Sequence, residues 1–368
     1  MGIRGYYKQF AGMTDEEVTE QLREQAAEAR RKALATVEAV DLSQTTWHEL
    51  PHPDVVAAVT FAARGTLNVA PDPTAQEIRR ELGRRLGVDP DRIAVGNGSG
   101  QLLAAATRAL VKDGDELLIP WPSYGLYPLM AQRAGARAVP VPQGHDVERL
   151  LAALTPRTRA IVLCNPNDPT GEYLTPARLR ELLDALPDHV SLLLDEALID
   201  YVADPGAGAA SIALLDAHPR LLLFRTFSKI YGLAGMRCGY AIGGRGAEQL
   251  VAQLVPELGV GTPVQAGALE ALRACEPQVA QRRAVVLGER ARMQQLLHEM
   301  PLDAAATEAN FFWLRAPGLS DQELAARLRR GGAIVAPGSA VGDEEHVRAT
   351  IQAPFHVDRL LEAARTAF

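Results

Sequence analysis

Short apolar runs alternate with amphipathic segments from residue 92 to residue 243, and this alternation constrains the fold more than any other feature. RIAVGNG (92–98), DELLIPW (115–121), ARAVPV (136–141), RAIVLC (159–164), SLLLDEALIDY (191–201), LLLFRTF (221–227) and RCGYAIG (237–243) read as strands. SGQLLAAATRALV, SYGLYPLMAQRAG and TPARLRELLDALP, which lie between them, read as helices. Strands that are apolar throughout need cover on both faces, so the pattern predicts a mostly parallel sheet sandwiched by helices. Such sheets hold ligands at the carboxyl ends of their strands.

The rest of the chain is organised differently. Residues 14–39 read as a charged helix with a thin apolar stripe, opened by a capping box of Thr14 and Glu17. PHPDVVAAVTFAAR (51–64) and PTAQEIRRELGRRLG (73–87) read as helices. Beyond about 256 come two long helical patterns, then short strands around NFFWLRA and GAIVAPG, the strand HVRATIQA, and a closing helix. A chain of 368 residues exceeds what one core usually serves. The expected division is a helical arm (1–40), a large α/β domain (41–255) and a smaller α+β C-terminal domain (256–368).

Bulk composition excludes several classes. A net charge of −7 gives no footprint for nucleic acid or an anionic membrane surface. No apolar run approaches the ~18–20 residues of a membrane span, and the N-terminal stretch lacks a signal peptide's apolar core. Cys164, Cys238 and Cys275 are far apart and odd in number. They read as buried free thiols, and the expected location is cytoplasmic. The histidines show no ligand spacing, so no metal site is expected.

Three features fall at strand ends. GNGSGQLL (96–103) turns a strand into a helix, and its start offers unpaired N–H groups to an anion. In LLLDEAL, Asp195 ends a run of leucines; it either caps the next turn or meets a cationic or hydrogen-bonding partner. In TFSKIYGLAGMRCGY (226–240), Lys229 lies between Thr226 and Ser228 on one side and Arg237 on the other. An amine withdrawn from water can act as a nucleophile, and hydroxyls with an arginine and a helix start make a phosphate cup. A carboxylate, an attachment amine and a phosphate cup are what pyridoxal phosphate needs.

TFSKIYGLAGMRCGY, the turn NPNDPTG (165–171), the strand LLLDEA and PWPSYGLY (120–127) together resemble the class I/II aminotransferases of the fold-type I pyridoxal phosphate enzymes. Among these the resemblance is closest to histidinol-phosphate aminotransferases, and it spans about residues 41 to 368. It implies that Lys229 attaches the cofactor and moves the Cα proton, that Asp195 pairs with the ring nitrogen, and that Tyr124 stacks on the ring. It implies that Ser99, Gly100, Gln101, Thr226, Ser228 and Arg237 hold the phosphate. Arg348 matches the arginine that grips the substrate α-carboxylate, with Asn310 nearby. The implied partners are an amino acid, a 2-oxo acid and a second copy of the chain in a homodimer.

The sequence departs from the family at informative places. Its turn normally reads NPNNPTG, with the last Asn donating to the cofactor's phenolic oxygen; here that position is Asp168. The second usual donor, a tyrosine, is Leu198. An ionised carboxylate cannot donate, so the expectation is that the cofactor oxygen keeps its proton and donates to Asp168. The bland alternative is that Asp168 braces the turn with Thr170. A tyrosine usually lent to the partner subunit's phosphate is Ala70, and an arginine associated with a substrate phosphate is replaced in Val335-Ala336. These losses argue against a phosphorylated substrate. TTWHELPHP replaces an NENP-like stretch, and Trp47, His48 and Glu49 are expected to shape the pocket mouth.

Transamination is the leading reading. Decarboxylation, elimination or cyclisation on the same fold remains open at this point. A regulatory module would need an added DNA-binding domain, which the short N-terminal segment does not supply. A nicotinamide dehydrogenase lacks its GxGxxG spacing and leaves Lys229 unexplained.

Overall fold

A computed structural model describes Thr14, Glu20, Glu24 and residues 39–368. The expected N-terminal arm and the Thr14–Glu17 capping box therefore lie largely outside the described residues. The chain runs β1 (Val40–Asp41), α1 (Pro53–Thr66), α2 (Gln76–Leu86), β2 (Ile93–Gly96), α3 (Ser99–Leu110), β3 (Glu116–Trp121), α4 (Tyr127–Arg133) and β4 (Arg137–Pro142). It continues with α5 (Val147–Ala152), β5 (Thr158–Cys164), α6 (Pro176–Ala185), β6 (Ser191–Asp195), α7 (Ala207–Leu214), β7 (Leu221–Thr226), β8 (Gly239–Gly243), α8 (Glu248–Leu254) and α9 (Thr262–Ala274). The last part comprises α10 (Glu276–Leu297), β9 (Asp303–Ala304), β10 (Phe311–Arg315), α11 (Asp321–Arg330), β11 (Ala333–Ile334), β12 (Ala336–Pro337), β13 (His346–Thr350) and α12 (Pro354–Ala367).

Among the described residues, seven strands form the central sheet in the order β2-β8-β7-β6-β5-β3-β4. All pairings are parallel except those of β8, which runs antiparallel to both neighbours. Side chains alternate across a strand. Leu192 and Leu194 therefore join one apolar cluster while Leu193 joins the other, and both faces are closed by helices. That double cover is why SLLLD reads as an unbroken apolar run. Truncating one of these leucines to alanine would cost about 2–5 kcal/mol.

The second sheet has the order β12-β13-β10-β9 and packs its own cluster with α10, α11 and α12. Two details differ from the expected division. Val40, Leu42 and Trp47 pack in this second cluster, and β1 pairs with β11, so residues 40–47 belong to the smaller unit. Ala268, Leu269, Ala271, Leu272 and Cys275 pack in the central-sheet cluster instead. The change of core therefore falls between α9 and α10 rather than at 256, because α9 lays its apolar stripe against the large unit. The segment expected as a helix from Ser123 becomes helical only at Tyr127. Pro128 occupies its first turn, where a missing N–H costs nothing.

Candidate active site

The carboxyl ends of β2, β5, β6 and β7 share one edge of the central sheet, and a cavity of about 260 Å³ opens there. Ser99, Gly100, Gln101, Tyr124, Asp168, Asp195, Thr226, Ser228, Lys229 and Arg237 all line it. Strand ends far apart in sequence thus converge, as doubly covered parallel sheets require.

One end of the cavity is built for an anion. The N-cap of α3 is Gly98, which has no side chain to occupy the free N–H groups of the helix start. Gly98 has φ +87, and a Cβ there would lie 2.8 Å from Nη2 of Arg237. The hydroxyl of Thr226 donates to Oγ of Ser228 at 3.0 Å and accepts the Ser228 N–H at 3.1 Å. Arg237 donates from Nη1 to Oγ of Ser228 at 3.5 Å and keeps its other terminal nitrogen beside Gly98.

At the floor, Asp195 is buried. It accepts from the Tyr127 hydroxyl at 2.8 Å and from the backbone N–H of Ala197 at 3.1 Å. Burial pushes its carboxyl up to about 6, against the lowering effects of the Tyr127 bond, the Ala197 bond and the Lys229 charge. Burial likewise pushes the Lys229 amine down, opposed by the charge of Asp168 and assisted by that of Arg348. Lys229 Nζ donates to Oγ1 of Thr45, a residue of the segment that crosses between the two sheets. Tyr124 lies half open at the rim and meets Tyr127 edge to face, with centroids 5.5 Å apart.

The NPNDPTG turn is braced by its asparagines. Asn165 donates to the carbonyl of Leu174 and accepts the Leu174 N–H; Asn167 donates to the carbonyl of Pro122 and to the Thr170 hydroxyl. Gly171, at φ +77, is forced because a Cβ would collide with Thr307. The Thr170 hydroxyl accepts from Asn167 and donates to Glu172, and Asp168 makes no bond to it. Its carboxylate instead accepts from Nη1 of Arg348, which stands on β13 of the second sheet. The contact expected between Asp168 and a cofactor oxygen is not addressed by this ion pair, which engages only Oδ1 of the carboxylate.

The three residues expected at the substrate are placed less directly. Arg348 is not among the lining residues and reaches the cavity through Asp168. Asn310 is buried and donates to the carbonyl of Thr45 at 3.3 Å. Trp47 is buried in the second cluster under the guanidinium of Arg282, donates to Glu49, and does not line the cavity. Its large apolar ring reaches the core before the mouth. Thr45, Thr46, Cys164 and Tyr127 are site residues that sequence reasoning passed over. The signal for Tyr127 was its position three residues after Tyr124, whose carbonyl accepts its N–H in the turn before α4.

Comparison with known proteins follows the same line. Residues 38–366 match the family described as Aminotransferase class I and II. An aromatic amino acid aminotransferase of Thermobifida fusca (strain YX) is 38% identical over 319 residues, covering 86% of this chain and 87% of that protein. One from Corynebacterium efficiens is 37% identical over 318 residues, covering 85% and 89%. Among solved structures, histidinol-phosphate aminotransferase from Sinorhizobium meliloti in complex with pyridoxal-5'-phosphate superposes with a TM-score of 0.79. It is 26% identical and covers 93% of this chain and 95% of its own. The aromatic aminotransferase from Pyrococcus horikoshii OT3 also gives 0.79, at 25% identity, covering 92% and 97%.

Proposed function

The chain belongs to the class I and II aminotransferases, a pyridoxal phosphate-dependent family, and we propose that it moves an amino group between an aromatic or other apolar amino acid and a 2-oxo acid. The observation that carries this reading is one cavity joining an amine, a buried carboxylate and an anion cup: Lys229, Asp195, and Arg237 with the start of α3. The residues present fit pyridoxal 5′-phosphate. The uncapped helix start, Gly98, Thr226, Ser228 and Arg237 suit its phosphate, and Asp195 offers an acceptor for a ring N–H. When bound, the cofactor supplies an electron sink for the pair left at Cα.

The chain's own residues do the remaining work. Lys229 Nζ takes the proton from the substrate Cα, a task for a neutral amine, and withdrawal from water favours that form. Asp195 holds a negative charge at the floor, shielded from solvent and oriented by Tyr127 and Ala197. Arg348, behind Asp168, is the guanidinium assigned to a substrate α-carboxylate. The apolar lining of Leu126, Ala197, Leu198 and Ala234 suits a side chain without charge. Arginine at the cavity is committed to the cofactor phosphate end, which speaks against a second, substrate phosphate. The curated relatives named for aromatic amino acids support the same choice.

Assembly as a homodimer is part of the proposal. Leu50, Phe61 and Leu67, before, on and after α1, are each strongly exposed large apolar side chains that a second copy could cover. The three cysteines are free and buried, in keeping with a reducing, cytoplasmic setting. A panel of donors tests the function: half-reaction absorbance with phenylalanine, tyrosine, histidinol phosphate, aspartate and lysine. Phenylalanine or tyrosine is expected to react fastest; a preference for histidinol phosphate or aspartate contradicts the proposed substrate class.

A further inference from the structure

Arg348 is already engaged on two nitrogens. Nη1 donates to Asp168, and Nη2 donates to the carbonyl of Ser43 at 2.8 Å. Its remaining Nε is buried without a partner. Asp168 lines the cavity whereas Arg348 does not. A carboxylate arriving from the cavity therefore meets another carboxylate before it meets the guanidinium.

We propose that Asp168 determines specificity at the α-carboxylate position, as an internal carboxylate that competes with the ligand's own for Arg348. The effect is to weaken every carboxylate-bearing ligand relative to the same ligand without its carboxylate. This deepens the reading of Arg348 as the substrate fork and rests on it.

Three observations carry the argument. First, the turn does not need Asp168. Asn165 and Asn167 make its hydrogen bonds, so the carboxylate is free to face the cavity and the arginine. Second, the displaced carboxylate has no other ion pair to fall back on among the described residues. The Lys229 amine, which feels the Asp168 charge, is turned to Thr45. Third, Asp168 is 7% exposed, so water compensates little when its partner is taken. A substrate carboxylate on Arg348 would then sit beside a second negative charge in a poorly solvated place. An asparagine at this position would offer an N–H instead; an ionised aspartate offers none.

The test needs no turnover. Binding of 3-phenylpropionate and of 3-phenylpropan-1-ol is measured by calorimetry on cofactor-free and cofactor-loaded enzyme. The proteins are wild type, Asp168→Asn, Asp168→Ala and Arg348→Gln, each checked for folding by circular dichroism. Both Asp168 variants are expected to bind 3-phenylpropionate at least about tenfold more tightly than wild type, with the alcohol unchanged. Arg348→Gln is expected to weaken the carboxylate alone. A gain in Asp168→Asn but not in Asp168→Ala assigns the effect to a new donor and overturns competition. Unchanged or weaker carboxylate binding in both Asp168 variants also overturns it; if Arg348→Gln still weakens the carboxylate, the reading of Arg348 survives. If no variant alters carboxylate binding, that reading falls as well.

Discussion

Tyr127 donates its hydroxyl hydrogen bond to Oδ2 of Asp195 at 2.8 Å, with both side chains buried. One residue opens α4 and the other ends β6, so the bond ties a helix start to the strand edge where the cavity lies. It also offsets part of what burial costs the carboxylate, since a donor favours the charged form.

The protonation of Asp195 is expected to appear in stability. Its carboxyl stands at about 6 when folded, above its ordinary value. The folded state thus holds this proton more tightly than the unfolded chain. The associated stability is complete at low pH and is lost as pH rises from the ordinary carboxylate range through about 6. The amount is on the order of 3 kcal/mol. Asp195→Asn removes this titration, so thermal unfolding of the cofactor-free pair should show the variant gaining on wild type between pH 4 and pH 8. A difference constant across that range contradicts the assignment.

Removing the Tyr127 hydroxyl should act through Asp195. Without its donor the carboxyl goes further up, and less of it is ionised near neutrality. Tyr127→Phe is expected to weaken cofactor affinity, most strongly below pH 7, in a fluorescence titration. Equal weakening at every pH would indicate a purely structural loss.

Thr45 is expected to set the reactivity of Lys229. Its hydroxyl accepts from the amine and so favours the ammonium form. In Thr45→Val that support is gone, and the pH midpoint for acylation of Lys229 in the cofactor-free enzyme should move down. Peptide mass mapping after a small acylating reagent reads it. A midpoint that rises or stays in place counts against the contact.

Gly98 is required twice, by its φ of +87 and by the Arg237 guanidinium 2.8 Å from where a Cβ would stand. Gly98→Ala should cost about 1–3 kcal/mol in stability, because its positive-φ, extended backbone is a region that only glycine adopts readily. It should also displace Arg237 and weaken pyridoxal phosphate binding at least about tenfold. Inorganic phosphate competition should weaken in parallel. Stability loss with unchanged cofactor affinity would place the cup elsewhere.

Much of this was legible in the sequence for definite reasons. Strands such as LLLFRT announce themselves because both faces are buried, and Lys229 with Thr226, Ser228 and Arg237 lie close in the chain, so local order reveals their convergence. Contacts between distant segments were not legible. Nothing near Asp168 says that Arg348 will meet it, because the pairing depends on how the two sheets face each other. Thr45 was hidden for the same reason, and the bulk of Trp47 drew attention to a residue that packs in the core. The side on which α9 packs was also hidden, because a helical pattern does not say which sheet covers its apolar face, and only packing places it against the central sheet.

The central claim is amino-group transfer at Lys229. It is tested most directly by mixing cofactor-loaded enzyme with phenylalanine and no acceptor, and following both the cofactor absorbance and the 2-oxo acid released. The account expects one equivalent of phenylpyruvate per site, a stable amine form of the cofactor, and neither in Lys229→Ala. Release of carbon dioxide or ammonia, with the cofactor returning to its starting absorbance, would contradict it.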